Sequence, residues 1–258
     1  MELYYAITFF IFGTIFGSFY NVVGYRLPKG ESILYPPSHC PNCNHRLGPL
    51  ELIPIFSFFI QGRKCVSCHQ KISWFYPIFE FGCGLLFTIA YLIFGLSLEL
   101  VIALTFISML CIIVLSDYEY MIISDEVLIF FSIILTVELF IKDGFASTGM
   151  HLLEGVLAFF TMWGIKKLGD FMFKKESMGG GDIKLMFVFG LVLGYPLSII
   201  SIFVGSIIGL PISLIIVAKK SSHEIPFGPF LSAGALILLL SRIDFNSIIK
   251  AMETLIIM

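Results

Sequence analysis

The sequence predicts an all-α polytopic membrane protein with about eight transmembrane helices. Of its 258 residues, 58% are hydrophobic and only 13% are charged, and the mean hydropathy is +0.97. Soluble domains carry about 25% charged residues, so this composition excludes a soluble globular enzyme and a disordered chain. The apolar residues also form long uninterrupted stretches, which are typical of helices that cross a bilayer.

The first predicted span covers residues 3–24. It carries Glu2 and has no Lys or Arg before Arg26, so we expect an uncleaved helix rather than a secretory signal peptide, which would begin with basic residues. The later spans are predicted at residues 75–95, 98–116, 127–141, 151–168, 184–195, 197–218 and 227–241. The apolar tail 245–258 is too short to span comfortably and is expected at the membrane interface.

The basic residues predict the orientation of the chain. When the polar interval 25–74 is placed in the cytoplasm, thirteen of the sixteen Lys and Arg residues fall on the cytoplasmic side. Cytoplasmic loops carry an excess of Lys and Arg, so the N-terminus is expected outside. We therefore divide the chain into a first transmembrane helix at 1–24, a cytoplasmic loop domain at 25–74 and a transmembrane domain at 75–258.

The net charge of −2 and the lack of a basic run argue against a nucleic-acid partner. The expected surroundings are instead the lipid bilayer.

Two CxxC pairs lie in the loop domain, with 21 residues between them. Each pair presents two thiolates from a tight turn, and two such turns can form a closed tetrahedral site that suits structural zinc. The predicted ligands are Cys40, Cys43, Cys65 and Cys68. Disulfides are the alternative, and a reducing cytoplasm disfavours them. The neighbouring His39, His45 and His69 are alternative ligands for one position.

Two aspartates are predicted at the cytoplasmic ends of spans. Asp117 follows the third span and Asp182 precedes the sixth. Acidic residues in such positions are costly and often functional. If the two carboxyl groups lie close together, one keeps a proton while the other activates a water molecule, as in an aspartic protease. The alternatives are a helix N-cap for Asp182 and a solvent-facing charge for Asp117.

Three further features complete the candidate site. Gly179, Gly180 and Gly181 precede Asp182 and permit close backbone approach or positive φ, so an extended substrate could lie against them. Glu80 lies six residues into the second span, where a buried acid needs a partner. The acidic residues of the 119–126 loop could bind a basic segment of a substrate, or they could simply be exposed to water.

The order and spacing of several motifs resemble those of the type IV prepilin peptidases, and the similarity covers residues 17 to about 234. The motifs are Gly17-Ser18-Phe19-Tyr20-Asn21-Val22-Val23, Tyr25-Arg26-Leu27-Pro28, Cys40-Pro41-x-Cys43, Cys65-x-x-Cys68, Tyr76-Pro77-x-x-Glu80, Asp117 with Asp125 eight residues later, Gly179-Gly180-Gly181-Asp182-x-Lys184 and Pro226-Phe227-Gly228-Pro229-Phe230. One position departs from the family pattern, because Ser124 replaces the proline that usually precedes Asp125.

The resemblance implies a bacterial inner-membrane enzyme with two activities at the cytoplasmic face. It would cleave the basic leader peptide of prepilins or pseudopilins, with Asp117 and Asp182 as the catalytic residues. It would then methylate the new N-terminal residue with S-adenosylmethionine. Substrate-binding roles are expected for Gly179, Gly180, Gly181, Lys184 and Glu80.

Two alternative functions remain at this point. A peptidase without methyltransferase activity is the nearer one, although the cysteine-bearing loop favours both activities. An ion or solute transporter would also place acids in a helical bundle, but such sites usually lie near the membrane midplane.

Overall fold

The computed structural model describes residues 1–219 and 226–243. The described part is mainly helical and contains no strand. Its α-helices are α1 (Glu2–Arg26), α2 (Phe56–Ile60), α3 (Phe75–Phe94), α4 (Leu98–Tyr120), α5 (Asp125–Phe173), α6 (Gly180–Leu193), α7 (Tyr195–Lys219) and α8 (Gly228–Ser241). Short 3₁₀ turns cover Leu27–Lys29 and Pro49–Leu52. The tail 245–258, predicted at the membrane interface, and residues 220–225 lie outside the described residues.

Four described helices are long and apolar enough to cross a membrane, namely α1, α3, α4 and α7. Helices α6 and α8 have 14 residues each. Helix α5 has 49 residues and is interrupted at Gly144, where φ is 78° and ψ is 179°. That break falls between the predicted spans 127–141 and 151–168, and a positive φ of this kind favours glycine.

Helix α4 lies at the centre of the bundle and contacts α1, α3, α5 and α8. The other main contacts are α1 with α3, α5 with α6, and α7 with α8. Glycine lies at each of these three interfaces, as expected where helices approach closely without large side chains. A Cβ would meet backbone atoms of the partner helix at Gly13, Gly155, Gly190, Gly205 and Gly234.

The two ends of α4 have different polar partners. At the Leu98 end, Glu99 accepts a hydrogen bond of 3.0 Å from Arg242 and lies 3.6 Å from Lys142. At the Tyr120 end lie the buried Asp117 and the loop that leads to Asp125. The bundle therefore has a charged end and an opposite end that carries the candidate site.

Candidate active site

Asp117 lies in the last turn of α4 and is only 6% exposed. Its Oδ2 accepts a hydrogen bond of 2.9 Å from the backbone N–H of Gly228, the first residue of α8. A side chain at Gly228 would interfere with this contact, because a Cβ there would lie 2.6 Å from the same oxygen. Asp117 is therefore held inside the protein and is not a solvent-facing charge.

Asp182 lies in the first turn of α6, before the predicted span 184–195, and is 8% exposed. The N-cap of this helix is Gly179, so the N-cap alternative for Asp182 is wrong. Burial, together with the negative charge of Asp117, raises the pKa of Asp182 to about 7. At pH values below 7 this carboxyl group therefore keeps a proton beside Asp117.

The glycine segment brings α6 against the loop that follows α4. A Cβ at Gly181 would lie 2.7 Å from the Cβ of Ile123, whereas a Cβ at Gly180 would have no neighbour within 4 Å. Close approach is thus required at Gly181. None of the three glycines has a positive φ, because the segment enters α6 from an extended N-cap.

An open cleft of about 420 Å³ adjoins this segment. It lies between the end of α1, the 122–126 segment and the start of α6. Lys184 lines the cleft and donates to both oxygens of Asp125 at 2.7 Å. Both side chains are about half exposed, so the pair is accessible from solvent and adds little to stability.

Glu80 has a partner in the loop domain. It is 8% exposed on α3, and its Oε2 accepts a hydrogen bond of 2.7 Å from the backbone N–H of Ile55. Ile55 has φ 63° and ψ −55°, and Phe56 N–H lies 2.6 Å from the Pro54 carbonyl oxygen. This is a strained γ-turn for a β-branched residue. Glu80 therefore holds a strained turn of the loop domain against the transmembrane bundle.

The two CxxC pairs form matching turns. Cys40 N–H donates to the His45 carbonyl oxygen and Cys65 N–H donates to the Gln70 carbonyl oxygen, both at 2.9 Å. Each turn is closed by a β-bridge, one between residues 39 and 46 and the other between residues 64 and 71. Asn44 and His69, at equivalent positions, both have positive φ. The two turns thus have the same backbone design.

The four sulfur atoms of these turns lie within 4.8 Å of one another. The Cys40–Cys68 and Cys43–Cys65 Sγ distances are 3.8 and 3.9 Å. A tetrahedral zinc site with Zn–S bonds of about 2.3 Å requires S–S separations of about 3.8 Å, so these residues fit a Cys₄ metal site.

The histidines of the loop have other contacts. His45 lies 3.2 Å from Glu51, and His39 lies 3.0 Å from the Pro37 carbonyl oxygen. Among the described residues, the group that could hold a metal consists of the four cysteines.

Comparison with known proteins adds an independent finding. The model of the bacterial peptidase A24 N-terminal domain matches residues 11–94, and that of the type IV leader peptidase family matches residues 104–214. A Bacillus subtilis prepilin leader peptidase/N-methyltransferase is 37% identical over 233 residues, which cover 88% of this chain and 91% of the relative. The chain belongs to the type IV leader peptidase family. No solved structure matches it.

Other relatives in the family are more distant. The Pseudomonas aeruginosa prepilin leader peptidase/N-methyltransferase is 28% identical over 89% of this chain and 88% of its own length. The Neisseria gonorrhoeae protein of the same name is 28% identical over 88% of this chain and 87% of its own length.

Gly228 is the site residue to which the sequence assigned no role. Gly228 belongs to the Pro226–Phe230 motif, and a glycine between bulky residues was the available signal. Its contact with Asp117 links positions 111 residues apart. No local pattern in the sequence indicates such a contact.

Proposed function

We propose that this chain cleaves the basic leader peptides of prepilins or pseudopilins and then methylates the new N-terminal residue. The observation that carries this proposal is the buried pair Asp117 and Asp182 in a member of the type IV leader peptidase family. Two close carboxyl groups share one proton, so one can act as a base and the other as an acid.

The contacts suggest which aspartate has which role. The N–H of Gly228 donates to Asp117, which favours the ionised form, so we assign Asp117 as the base that activates water. Asp182 keeps its proton below pH 7 and would donate it to the oxygen of the scissile carbonyl group. The water attacks the carbonyl carbon, and the amine leaves with a proton returned from the pair.

The substrate is proposed to lie in the cleft beside the glycine segment. Gly179, Gly180 and Gly181 would contact its extended backbone, and Lys184 would contact it once its pair with Asp125 opens. The acidic residues of the cleft suit a basic leader, and the apolar helix of the substrate would pack against the bundle within the bilayer. The substrate-binding role of Glu80 stays a prediction, since its carboxylate is engaged by the loop domain.

Zinc is the metal that we propose for the Cys₄ site, with a structural role because four thiolates leave no open position. Elemental analysis of the purified protein is expected to give about one zinc per chain. S-adenosylmethionine would supply the methyl group.

We further propose a multi-pass protein of the bacterial inner membrane with eight spans, the N-terminus outside and the site at the cytoplasmic face. The proposed divisions are 1–24, 25–74 for the loop domain and 75–258 for the peptidase domain.

The test is the intact mass of a prepilin incubated with the purified protein in lipid, with and without S-adenosylmethionine. We expect loss of the leader, plus about 14 Da when the methyl donor is present. Asp117→Asn and Asp182→Asn should each abolish leader loss because the pair then lacks a carboxyl group. Full cleavage by either variant would remove that aspartate from the proposal, and leader loss without the 14 Da would leave a peptidase alone.

A further inference from the structure

Three tyrosines meet where the loop domain joins the bundle. Tyr25 lies at the end of α1, Tyr76 at the start of α3 and Tyr120 at the end of α4. The ring centroid of Tyr25 is 6.1 Å from that of Tyr76 and 6.2 Å from that of Tyr120. We call these three residues the tyrosine cluster. The proposed cleavage chemistry makes no use of them.

A positively charged side chain of the protein already contacts the tyrosine cluster. The Lys29 Nζ lies 5.2 Å from the ring centroid of Tyr120, within the range of a cation–π interaction. Lys29 is exposed, so its flexible side chain can move away at little cost. Glu119 directly precedes Tyr120 on α4 and is exposed at the same end of the bundle. Aromatic faces next to a carboxylate form the chemistry that recognises organic cations.

The position of the tyrosine cluster relates it to the candidate active site. Tyr120 follows Asp117 by three residues on α4, so the two side chains project from neighbouring positions about 5–6 Å apart at Cβ. On the other side, Leu27 and Pro28 precede Lys29 and line the cleft beside Gly181. A ligand on the tyrosine cluster would therefore lie next to the place where cleavage releases the new amine.

We propose that the tyrosine cluster binds the positively charged sulfonium group of the methyl donor, with Lys29 covering the Tyr120 ring when the donor is absent. This proposal rests on the methyltransferase half of the proposed function. A sulfonium is a cation with apolar substituents, which suits aromatic faces better than a strongly hydrated ammonium does. The thioether that remains after methyl transfer is neutral, so the same site would hold the product less tightly than the donor.

Binding calorimetry on the full-length protein in lipid nanodiscs, without prepilin, tests the proposal. S-adenosylmethionine should bind at least about fivefold more tightly than its thioether product S-adenosylhomocysteine. Tyr120→Leu should weaken binding of S-adenosylmethionine by roughly fivefold or more, whereas Tyr120→Phe should stay within about twofold because the ring is kept.

Lys29→Gln provides a test in which tighter binding of the donor is expected, and a misfolded variant would not show tighter binding. Removing the competing cation should strengthen binding of S-adenosylmethionine by roughly two- to fivefold, and it should strengthen binding of the neutral thioether less, because only the donor is also repelled by the lysine charge. Tyr118→Leu is the matched control. Tyr118 lies two residues from Tyr120, is 62% exposed and stacks on Phe75 outside the tyrosine cluster, so its loss should not change donor affinity.

The outcomes separate this proposal from the function on which it rests. If the wild-type protein methylates its substrate but Tyr120→Leu and Lys29→Gln leave donor affinity unchanged, the tyrosine cluster is not the donor site and the methyltransferase function stands. If Tyr120→Leu raises only the KM for the prepilin, the cluster binds a basic side chain of the leader and the proposal is wrong. If the wild-type protein neither binds nor uses the donor, both fail while leader cleavage can still be observed.

Discussion

Gly228 and Asp117 form the most constrained contact between two residues of the candidate site. The backbone N–H of Gly228 donates to Asp117 at 2.9 Å, and no Cβ fits beside that carboxylate. Gly228→Ala should displace the Asp117 carboxyl group, and we expect leader cleavage to fall by roughly 100-fold, the scale of a small misplacement in an active site. The measurement is the initial rate of cleavage in lipid.

Gly164→Ala is the matched control for this substitution. Gly164 is helical, and a Cβ there would have no neighbour within 4 Å, so cleavage should stay at the wild-type rate. Unchanged cleavage by Gly228→Ala would mean that the contact with Asp117 does not position the carboxyl group.

The raised pKa of Asp182 predicts the pH dependence of cleavage. The pKa of Asp182 is raised from its ordinary value of 3.8 to about 7, so the group is protonated below pH 7 and ionised above it. The acid is lost as pH rises through this value, and we expect cleavage to fall about tenfold per pH unit above it. Initial rates from pH 5.5 to 9 provide the measurement, and a rate that stays flat up to pH 9 would contradict the prediction.

Some residues of the candidate site could be predicted from the sequence and others could not. Asp117, Asp182 and the four cysteines could be chosen from their positions, because acids at the ends of spans are costly and two CxxC pairs suit a metal. Gly228 and Ile55 have roles that depend on backbone groups meeting distant carboxylates. Such contacts leave no pattern in the sequence, and the structure was needed to find them.

Ser124, the N-cap of α5, has a backbone conformation that suits proline. Its φ of −71° is the value that proline requires. Ser124→Pro should therefore fit the backbone and stabilise the protein by about 0.4–1 kcal/mol, since proline lowers the entropy of the unfolded chain. Thermal unfolding in lipid is the measurement, with leader cleavage recorded on the same samples.

Met121→Pro provides the contrast for this prediction, three residues earlier in the same loop. Met121 has φ 55°, and its N–H donates to the Asp117 carbonyl oxygen. Proline fits neither feature, so this variant should lower the unfolding temperature. If Ser124→Pro destabilises the protein as much as Met121→Pro does, the φ argument is wrong.

Helix positions were more accessible to sequence reasoning than helix ends. The predicted spans 75–95 and 98–116 correspond to α3 and α4, because long apolar runs determine where a helix can lie. Helix α4 continues beyond the predicted span to Tyr120 through polar residues, because a helix can extend past the apolar run that crosses the bilayer. Helix α5 likewise continues to Phe173 beyond the predicted span 151–168.

At the scale of the whole molecule, the two ends of the bundle predict a labelling pattern. Leu96, between α3 and α4, is 64% exposed at the charged end, and Glu31 is exposed at the end that carries the site. The excess of basic residues near the site predicts that this end is cytoplasmic. An impermeant maleimide should thus label Leu96→Cys in intact cells and Glu31→Cys only after permeabilisation.

The unsubstituted protein serves as the control for this experiment, because its six native cysteines must stay unlabelled in intact cells. Labelling of Glu31→Cys in intact cells, with Leu96→Cys protected, would reverse the proposed orientation.

The contact between Tyr25 and Tyr76 has a consequence for how the chain can be rearranged. Tyr25 is the first residue of the loop domain and Tyr76 lies two residues after its end, and their ring centroids are only 6.1 Å apart. Chain ends that lie close together are one reason why a domain can be inserted into a fold or removed from it. A few linker residues could therefore replace the loop domain, but its removal would leave the buried Glu80 carboxylate without the Ile55 N–H, so a loop-free variant should also replace Glu80 with an apolar residue.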